Sequence, residues 1–196
     1  MLNLEITFII IIISYLFGSM PFGLILTKIF IGKDIRKIGS GNIGATNVLR
    51  SGNKFIGYLT LAFDILKAVV PILYINFYYN DQLYLASLSV FIGHVFPVWL
   101  KFKGGKGVAT YVGILFCLNY LSGIVFCVTW LLIFFIFKYS SLSSIVSSLC
   151  IPIFQYFFIS DPFYYFYFIM FVMIFYTHRE NIKRLINKTE SKTKIY

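Results

Sequence analysis

Charge is scarce in this 196-residue sequence: 12% of its residues are Asp, Glu, Lys or Arg, where soluble domains carry about a quarter. Acids are scarcer still, seven in all. No carboxylate cluster suited to Mg²⁺ or Zn²⁺ occurs among them. Cysteine is limited to Cys117, Cys127 and Cys150, scattered through apolar stretches without CxxC or metal-ligand spacing. They read as small buried hydrophobes. No His-x4-Asp pair, serine elbow or plausible Cys–His dyad is present, which excludes the usual covalent nucleophiles. There is also no internal repeat and no stretch with the composition of a soluble domain.

What the sequence has in abundance is apolar surface: 59% hydrophobic and 20% aromatic residues. That departure points to the membrane. The net charge of +10 would suggest nucleic acid in a soluble protein. Here the cations sit in a few short loops, so anionic headgroups or phosphorylated small molecules are the expected partners, not nucleic acid. The first apolar run, Leu2 to Gly18, carries Glu5 where a signal peptide has a basic region, and no small-residue cleavage site follows. It is expected as a mature span.

A helix needs about 20 apolar residues to cross the hydrocarbon core, fewer where the bilayer adapts. Spans are expected at 5–22, 56–79, 83–100, 107–121, 123–137, 141–159 and 162–177. The segment 107–137 reads either as one long helix or as two short ones, and charge decides. With two, every Lys and Arg except Lys67 falls in segments 23–55, 101–106, 138–140 and the tail from 178. The opposite ends carry only Glu5, Asp81 and Asp161. With one, the basic tail would face outward, against the positive-inside rule. The expectation is an all-α polytopic integral membrane protein of about seven transmembrane helices, N-terminus outside and C-terminus cytoplasmic. It forms a single transmembrane domain over 1–186 with a basic tail over 187–196.

Three polar clusters fall on the cytoplasmic side. The first runs from Lys33 to Arg50. Its Gly39, Gly41 and Gly44 would let backbone N–H groups converge on an anion. Ser40, Asn42, Thr46 and Asn47 add neutral hydrogen-bonding groups, and Arg50 a forked cation suited to phosphate. The same glycines spell GxGxxG with Asp64 twenty residues on, the spacing of a dinucleotide fingerprint. That reading fails, because charged residues and membrane spans stand where a buried strand is required. The second cluster, Lys101 to Gly107, places Lys103 and Lys106 around Gly104 and Gly105, without Walker spacing. Positive-inside anchoring explains its lysines but not the glycines between them. The third is Thr177 to Asn181, where His178 and Asn181 share a helix face. His178 is suited to orienting a hydroxyl, donating to a phosphate or acting as a general base, or it is an interfacial histidine at a helix end. His94 is expected in a supporting role, and Asp64 with Lys67 as a buried i,i+3 pair. Chemistry here would use a pre-activated donor, with cationic and backbone groups stabilising negative charge, no metal and no cofactor.

Gly18-Ser-Met-Pro-Phe-Gly23, Gly39 through Arg50, Gly93-His-Val-Phe-Pro97, Phe102 through Thr110 and His178 through Arg184 together resemble the bacterial acyl-phosphate:glycerol-3-phosphate acyltransferases, the PlsY family. The resemblance covers nearly the whole chain in order. It departs in a shortened region after Gly107, a basic tail after Arg184 and aromatic-rich spans. It implies a multi-pass enzyme of the bacterial inner membrane, with its site at the cytoplasmic face. The reaction would move a fatty acyl group from acyl phosphate to the 1-hydroxyl of sn-glycerol 3-phosphate, giving lysophosphatidate and phosphate, the first step of phospholipid synthesis. It implies His178, Ser40 and Lys106 as catalytic, with Arg50 and Asn181 on glycerol phosphate. Gly41, Asn42, Thr46, Asn47 and Lys103 would lie against acyl phosphate, with Gly104 and Gly105 also binding substrate. The base is then His178, Glu180 or the substrate's own phosphate. A rival class, a transporter of organic phosphates, would carry polar residues on toward the outer face, where the spans are almost uniformly apolar.

Overall fold

The computed structural model describes residues 4–193, which are helical throughout their regular structure. The chain divides into two compact units, one ending at Leu118 and one beginning at Asn119. Among the described residues, five helical segments are long and apolar enough to cross a bilayer: Leu4–Ile31, Lys54–Tyr78, Asn80–Leu100, Tyr120–Phe137 and Ser140–Ile159. Two further apolar helices, Val108–Leu118 and Tyr164–Thr177, are shorter. Large apolar side chains such as Phe8, Phe77, Leu132, Phe135 and Phe168 are exposed along them. Such continuous apolar surface suits hydrocarbon rather than water.

The first unit begins with α1 (Leu4–Ser19), which packs on α5 (Leu83–Val95). Two glycines set that crossing. A methyl on Gly18 would strike the backbone of Val90, and one on Gly93 the backbone of Tyr15 and Ser19. Only bare backbone allows helices to approach so closely. The end of α1 is then pinned: Tyr15 donates to the Phe96 carbonyl at 2.7 Å, and the Trp99 indole to Ser19 Oγ at 2.7 Å.

The expected first span stopped at residue 22, followed by a loop over 23–55; the structure corrects this. Helix α2 (Phe22–Ile31) resumes directly after Pro21 and ends at Gly32, whose φ of 68° and N–H bond to the Thr27 carbonyl close the turn. Pro21 reads as a stop, but a proline at the entry to a helix lacks only an N–H that would have no partner there anyway. The loop that remains carries a short helix, α3 (Ala45–Arg50).

Helix α4 (Lys54–Tyr78) is capped by Asn53, whose side-chain oxygen accepts the Ile56 N–H at 3.0 Å. It packs against α1, α2, α3, α5 and α6 (Val108–Leu118). Within it, Lys67 and Asp64 form the expected i,i+3 pair at 2.8 Å, fully buried. Within the segment Asn80–Leu100, helix α5 stops at Val95, because Pro97 cannot continue it, and a 3₁₀ turn takes over at Val98–Leu100.

The second unit holds α7 (Tyr120–Phe137), α8 (Ser140–Phe154), α9 (Tyr164–Thr177) and α10 (Arg179–Ile186). The segment 107–137 is thus two helices, as expected, but the break falls at Asn119 and not after residue 121. Asn119 starts α7 by accepting the Ser122 N–H at 3.1 Å. Helix α8 packs on α7 through a serine-rich face: Ser144 and Ser147 donate to carbonyls four residues back. The Trp130 indole donates to Ser144 at 3.1 Å, and the Gln155 amide to Ser122 at 2.7 Å. Small hydroxyl side chains let helices close up while bonding to backbone carbonyls of their own helix. After Pro152 the helix widens into a π turn over Gln155–Ile159.

Candidate functional site

In the first unit, the loop between α2 and α3 is built around one side chain. Asn47 is 2% exposed. Its amide nitrogen donates to the carbonyls of Ile35 at 3.2 Å, Ile38 at 2.9 Å and Asn42 at 2.8 Å. Its oxygen accepts the Ser40 N–H at 2.9 Å. Gly39 and Gly41 take φ values of 58° and 72°, and a methyl at Gly39 would meet the Asn47 oxygen. Asn42 folds its side-chain oxygen onto the Gly44 N–H at 2.9 Å, an Asx turn. The buried Ile35 and Ile43 anchor the loop beneath, Ile43 directly against Gly23. Asp34 and Arg36 pair at 2.6 Å at its rim, which holds the Asp34 carboxyl well below the usual carboxylate range.

This arrangement corrects two expectations. The N–H groups of Ser40, Gly41 and Gly44 are bonded to Asn47, to the Ile38 carbonyl and to Asn42, so they do not form an anion nest. A compact loop must satisfy its own backbone. Asn47, expected against a ligand, is instead the template of the loop. What the loop presents is side chains: Ser40 is exposed, while Asn42, Thr46 and Arg50 are half-buried.

The second loop lies on the end of α5. The Gly104 N–H donates to the Val95 carbonyl at 3.0 Å and the Gly105 N–H to that of His94 at 3.1 Å. Those two amides are therefore also committed, against the expectation that they face an anion. The glycines are required for another reason. A methyl on Gly104 would strike the His94 and Val95 carbonyls, one on Gly105 the His94 ring, and one on Gly107 the Phe91 ring. Lys101 and Phe102 adopt left-handed conformations with φ of 52° and 60°, unfavourable for side chains of their kind. The turn they make leaves Lys101 and Lys103 exposed and Lys106 half-buried.

In the second unit, His178 ends α9 and is 3% exposed. Its Nδ1 lies 2.8 Å from the Ile174 carbonyl. A carbonyl can only accept, so Nδ1 carries the proton and the neutral ring keeps its lone pair on Nε2. Asn181, three residues on, shares that buried face and donates to Glu190 at 2.8 Å. Glu190 also accepts from Ser141 at 2.8 Å and from Arg184 at 2.7 Å. Burial raises its pKa, but the bonds from Arg184, Asn181 and Ser141 outweigh this and hold it below the ordinary value. Within the segment expected as a basic tail, Glu190 thus bonds to α8 and α10, and Thr193 adds a backbone bond to the Lys138 carbonyl at 2.9 Å, while residues 194–196 lie outside the described residues. Glu180 points away, its exposed side chain 3.5 Å from Lys183. Sequence reasoning missed Glu190 and Ser141; the one signal was a lone acid in a run of cations. Among the described residues, no group of three or more His, Cys, Asp or Glu could hold a metal ion.

Comparison with known proteins bears on all of this. A family model described as glycerol-3-phosphate acyltransferase matches residues 8–188. The chain is 65% identical over 183 residues to a glycerol-3-phosphate acyltransferase of Pelagibacter ubique, covering 93% of this chain and 95% of that one. It is 50% identical over 194 residues to one of Bartonella henselae, covering 95% and 91%. Two crystal structures of PlsY, an integral membrane glycerol 3-phosphate acyltransferase, are similar throughout. The glycerol 3-phosphate form superposes with a TM-score of 0.88 at 34% identity, and the lysophosphatidic acid form with 0.85 at 33%. Each comparison covers 95% of this chain and 94% of the other.

Proposed function

The chain belongs to the glycerol-3-phosphate acyltransferase family, and from that premise we propose that it acylates the 1-hydroxyl of sn-glycerol 3-phosphate using acyl phosphate as donor. The hydroxyl oxygen attacks the acyl carbonyl carbon, a C–O ester bond forms, and the bond from that carbon to the phosphate oxygen breaks. The leaving phosphate takes up the hydroxyl proton, so lysophosphatidate and inorganic phosphate are the products. A mixed anhydride carries its own good leaving group, which fits a chain without an evident nucleophile.

The observation that carries this reading is the pair of internally bonded loops of the first unit, which offer cations on fixed backbones. Ser40, Arg50 and Lys106 are assigned to glycerol phosphate. Asn42, Thr46 and Lys103 are assigned to acyl phosphate, where Lys103 offsets the charge that grows on the carbonyl oxygen. Gly41, Gly104 and Gly105 serve by shape, since their N–H groups already have partners. In the second unit, His178 and Asn181 are assigned to glycerol phosphate, His178 accepting through Nε2 to orient the hydroxyl. Glu180, exposed and paired with Lys183, is disfavoured as the base. We assign the two shorter apolar helices to the membrane as well, which gives seven crossings, the N-terminus outside and the loops at the cytoplasmic face of the inner membrane.

The donor decides the proposal. Purified protein supplied with glycerol 3-phosphate and, in turn, acyl phosphate, acyl-CoA or acyl carrier protein should make lysophosphatidate from acyl phosphate alone. Product from a thioester but not from acyl phosphate would replace the donor assigned here.

A further inference from the structure

A buried carboxylate, amine and imidazole lie together inside the membrane-spanning helices of the first unit, outside the loops assigned to substrate. Asp64 and Lys67 are on α4 and His94 is on α5, each at most 4% exposed. Lys67 donates to Asp64 at 2.8 Å and to the Met20 carbonyl at 2.9 Å, beside the break at Pro21. His94 Nδ1 lies 3.8 Å from the same Asp64 oxygen and makes no hydrogen bond to any described residue. The opposite edge of the ring, at Nε2, fills the place a side chain would occupy on Gly105. The His94 carbonyl holds the Gly105 N–H as well.

A buried ion pair is weak evidence for stability, because apolar side chains of similar volume often do as well. Ionisable groups within the membrane mark function by default. The ring of His94 lies against both the pair and the glycine loop. A leucine at position 94 would fill space but would not present the edge of a planar ring to Gly105.

We propose that His94 is a positioning residue for the Lys101–Gly107 loop, wedged between the Asp64–Lys67 pair and Gly105 so that Lys103 and Lys106 are held in one arrangement. The proposal rests on the reading of that loop as a phosphate-binding element. It assigns His94 no contact with substrate; its effect passes through the backbone of Gly105.

The test is a size-exchange cycle on the purified full-length protein in lipid nanodiscs, with two readouts. The first is the rate at which an amine-reactive reagent labels Lys106 without substrate, read by mass spectrometry. The second is the KM for each phosphate substrate set against kcat. His94→Ala and Gly105→Ala should each speed Lys106 labelling and raise KM about tenfold, with kcat less affected, since small misplacements of binding groups are costly. In the double variant, the space left by the ring admits the new methyl. KM should then fall below the product of the single effects and labelling should slow from that of Gly105→Ala, the coupling expected of residues in contact.

If His94→Ala does not fold, His94→Gln takes its place in the cycle. A folded His94 variant with wild-type labelling and KM, or strictly multiplicative effects, would overturn the proposal. A wild-type protein inactive toward acyl phosphate would sink the phosphate reading alone, and the labelling cycle would still decide the role of His94.

Discussion

The side-chain oxygen of Asn47 accepts the backbone N–H of Ser40 at 2.9 Å across seven residues of sequence, and through that bond a buried amide fixes an exposed hydroxyl. The other end of the same amide donates to three carbonyls of the loop. Asn47 is thus the only kind of side chain that fits: one acceptor and one pair of donors on a planar group.

Asn47→Asp keeps the bond to Ser40 but turns a carboxylate oxygen toward three carbonyls. Each buried group left without a partner costs about 1–3 kcal/mol. Activity should fall by roughly a hundredfold, with the aspartate no better than Asn47→Ala despite its shape. Steady-state rates together with thermal unfolding in detergent check this. An aspartate variant of wild-type activity would show that the amide donors are dispensable.

Arg50→Lys tests the forked cation. Lysine keeps the charge but loses the bidentate geometry and is not a conservative change at such a site. The KM for glycerol 3-phosphate is expected to rise about tenfold or more, equivalent to about 1.4 kcal/mol of lost binding. Full activity in the lysine variant would remove Arg50 from the phosphate site.

Gly93→Val places two methyl groups in the backbone of Tyr15 and Ser19, where α1 and α5 meet. Overpacking a tight contact costs about 1–3 kcal/mol or more. Lower expression and a lower unfolding midpoint should result, without selective loss of either substrate. A variant of wild-type stability would contradict the close crossing.

Glu190 gives the fold an acid limit. Its pKa lies below the ordinary 4.5 in the folded state. The stabilisation it contributes is fully present above the unfolded value and is lost as pH falls through the lowered one. Proteolysis of the segment after Asn187 should therefore accelerate below pH 4.5. Glu190→Gln should make the segment accessible at neutral pH as well and flatten the dependence. An unchanged acid limb in that variant would assign the effect to another group.

Much of the fold was legible in the sequence because the membrane writes it in hydropathy. That 107–137 is broken followed from charge, though not that the break falls at Asn119, and the Asp64–Lys67 pair followed from helical spacing. Helix α2 was not legible: the expected span ended at residue 22, whereas Gly23 stands inside the next helix, where it admits the backbone of Ile43. The glycines between the lysines were recognised as meaningful, but for the wrong partner. They face His94 and Phe91, and such contacts are set by packing that no spacing rule reports. Asn47 and Thr46 are adjacent and look alike in sequence, yet one is buried and the other half-exposed to the site. Glu190 hid in a basic tail because its partners stand 6, 9 and 49 residues away.

Acyl transfer from acyl phosphate is decided by phosphate release from purified protein given acyl phosphate, with and without glycerol 3-phosphate, in the presence of EDTA. Release should depend on the acceptor, match the lysophosphatidate formed, survive the chelator and disappear in Lys106→Ala. Folded protein that releases no phosphate on adding acceptor, yet moves glycerol 3-phosphate into proteoliposomes, would contradict it and make the chain a carrier.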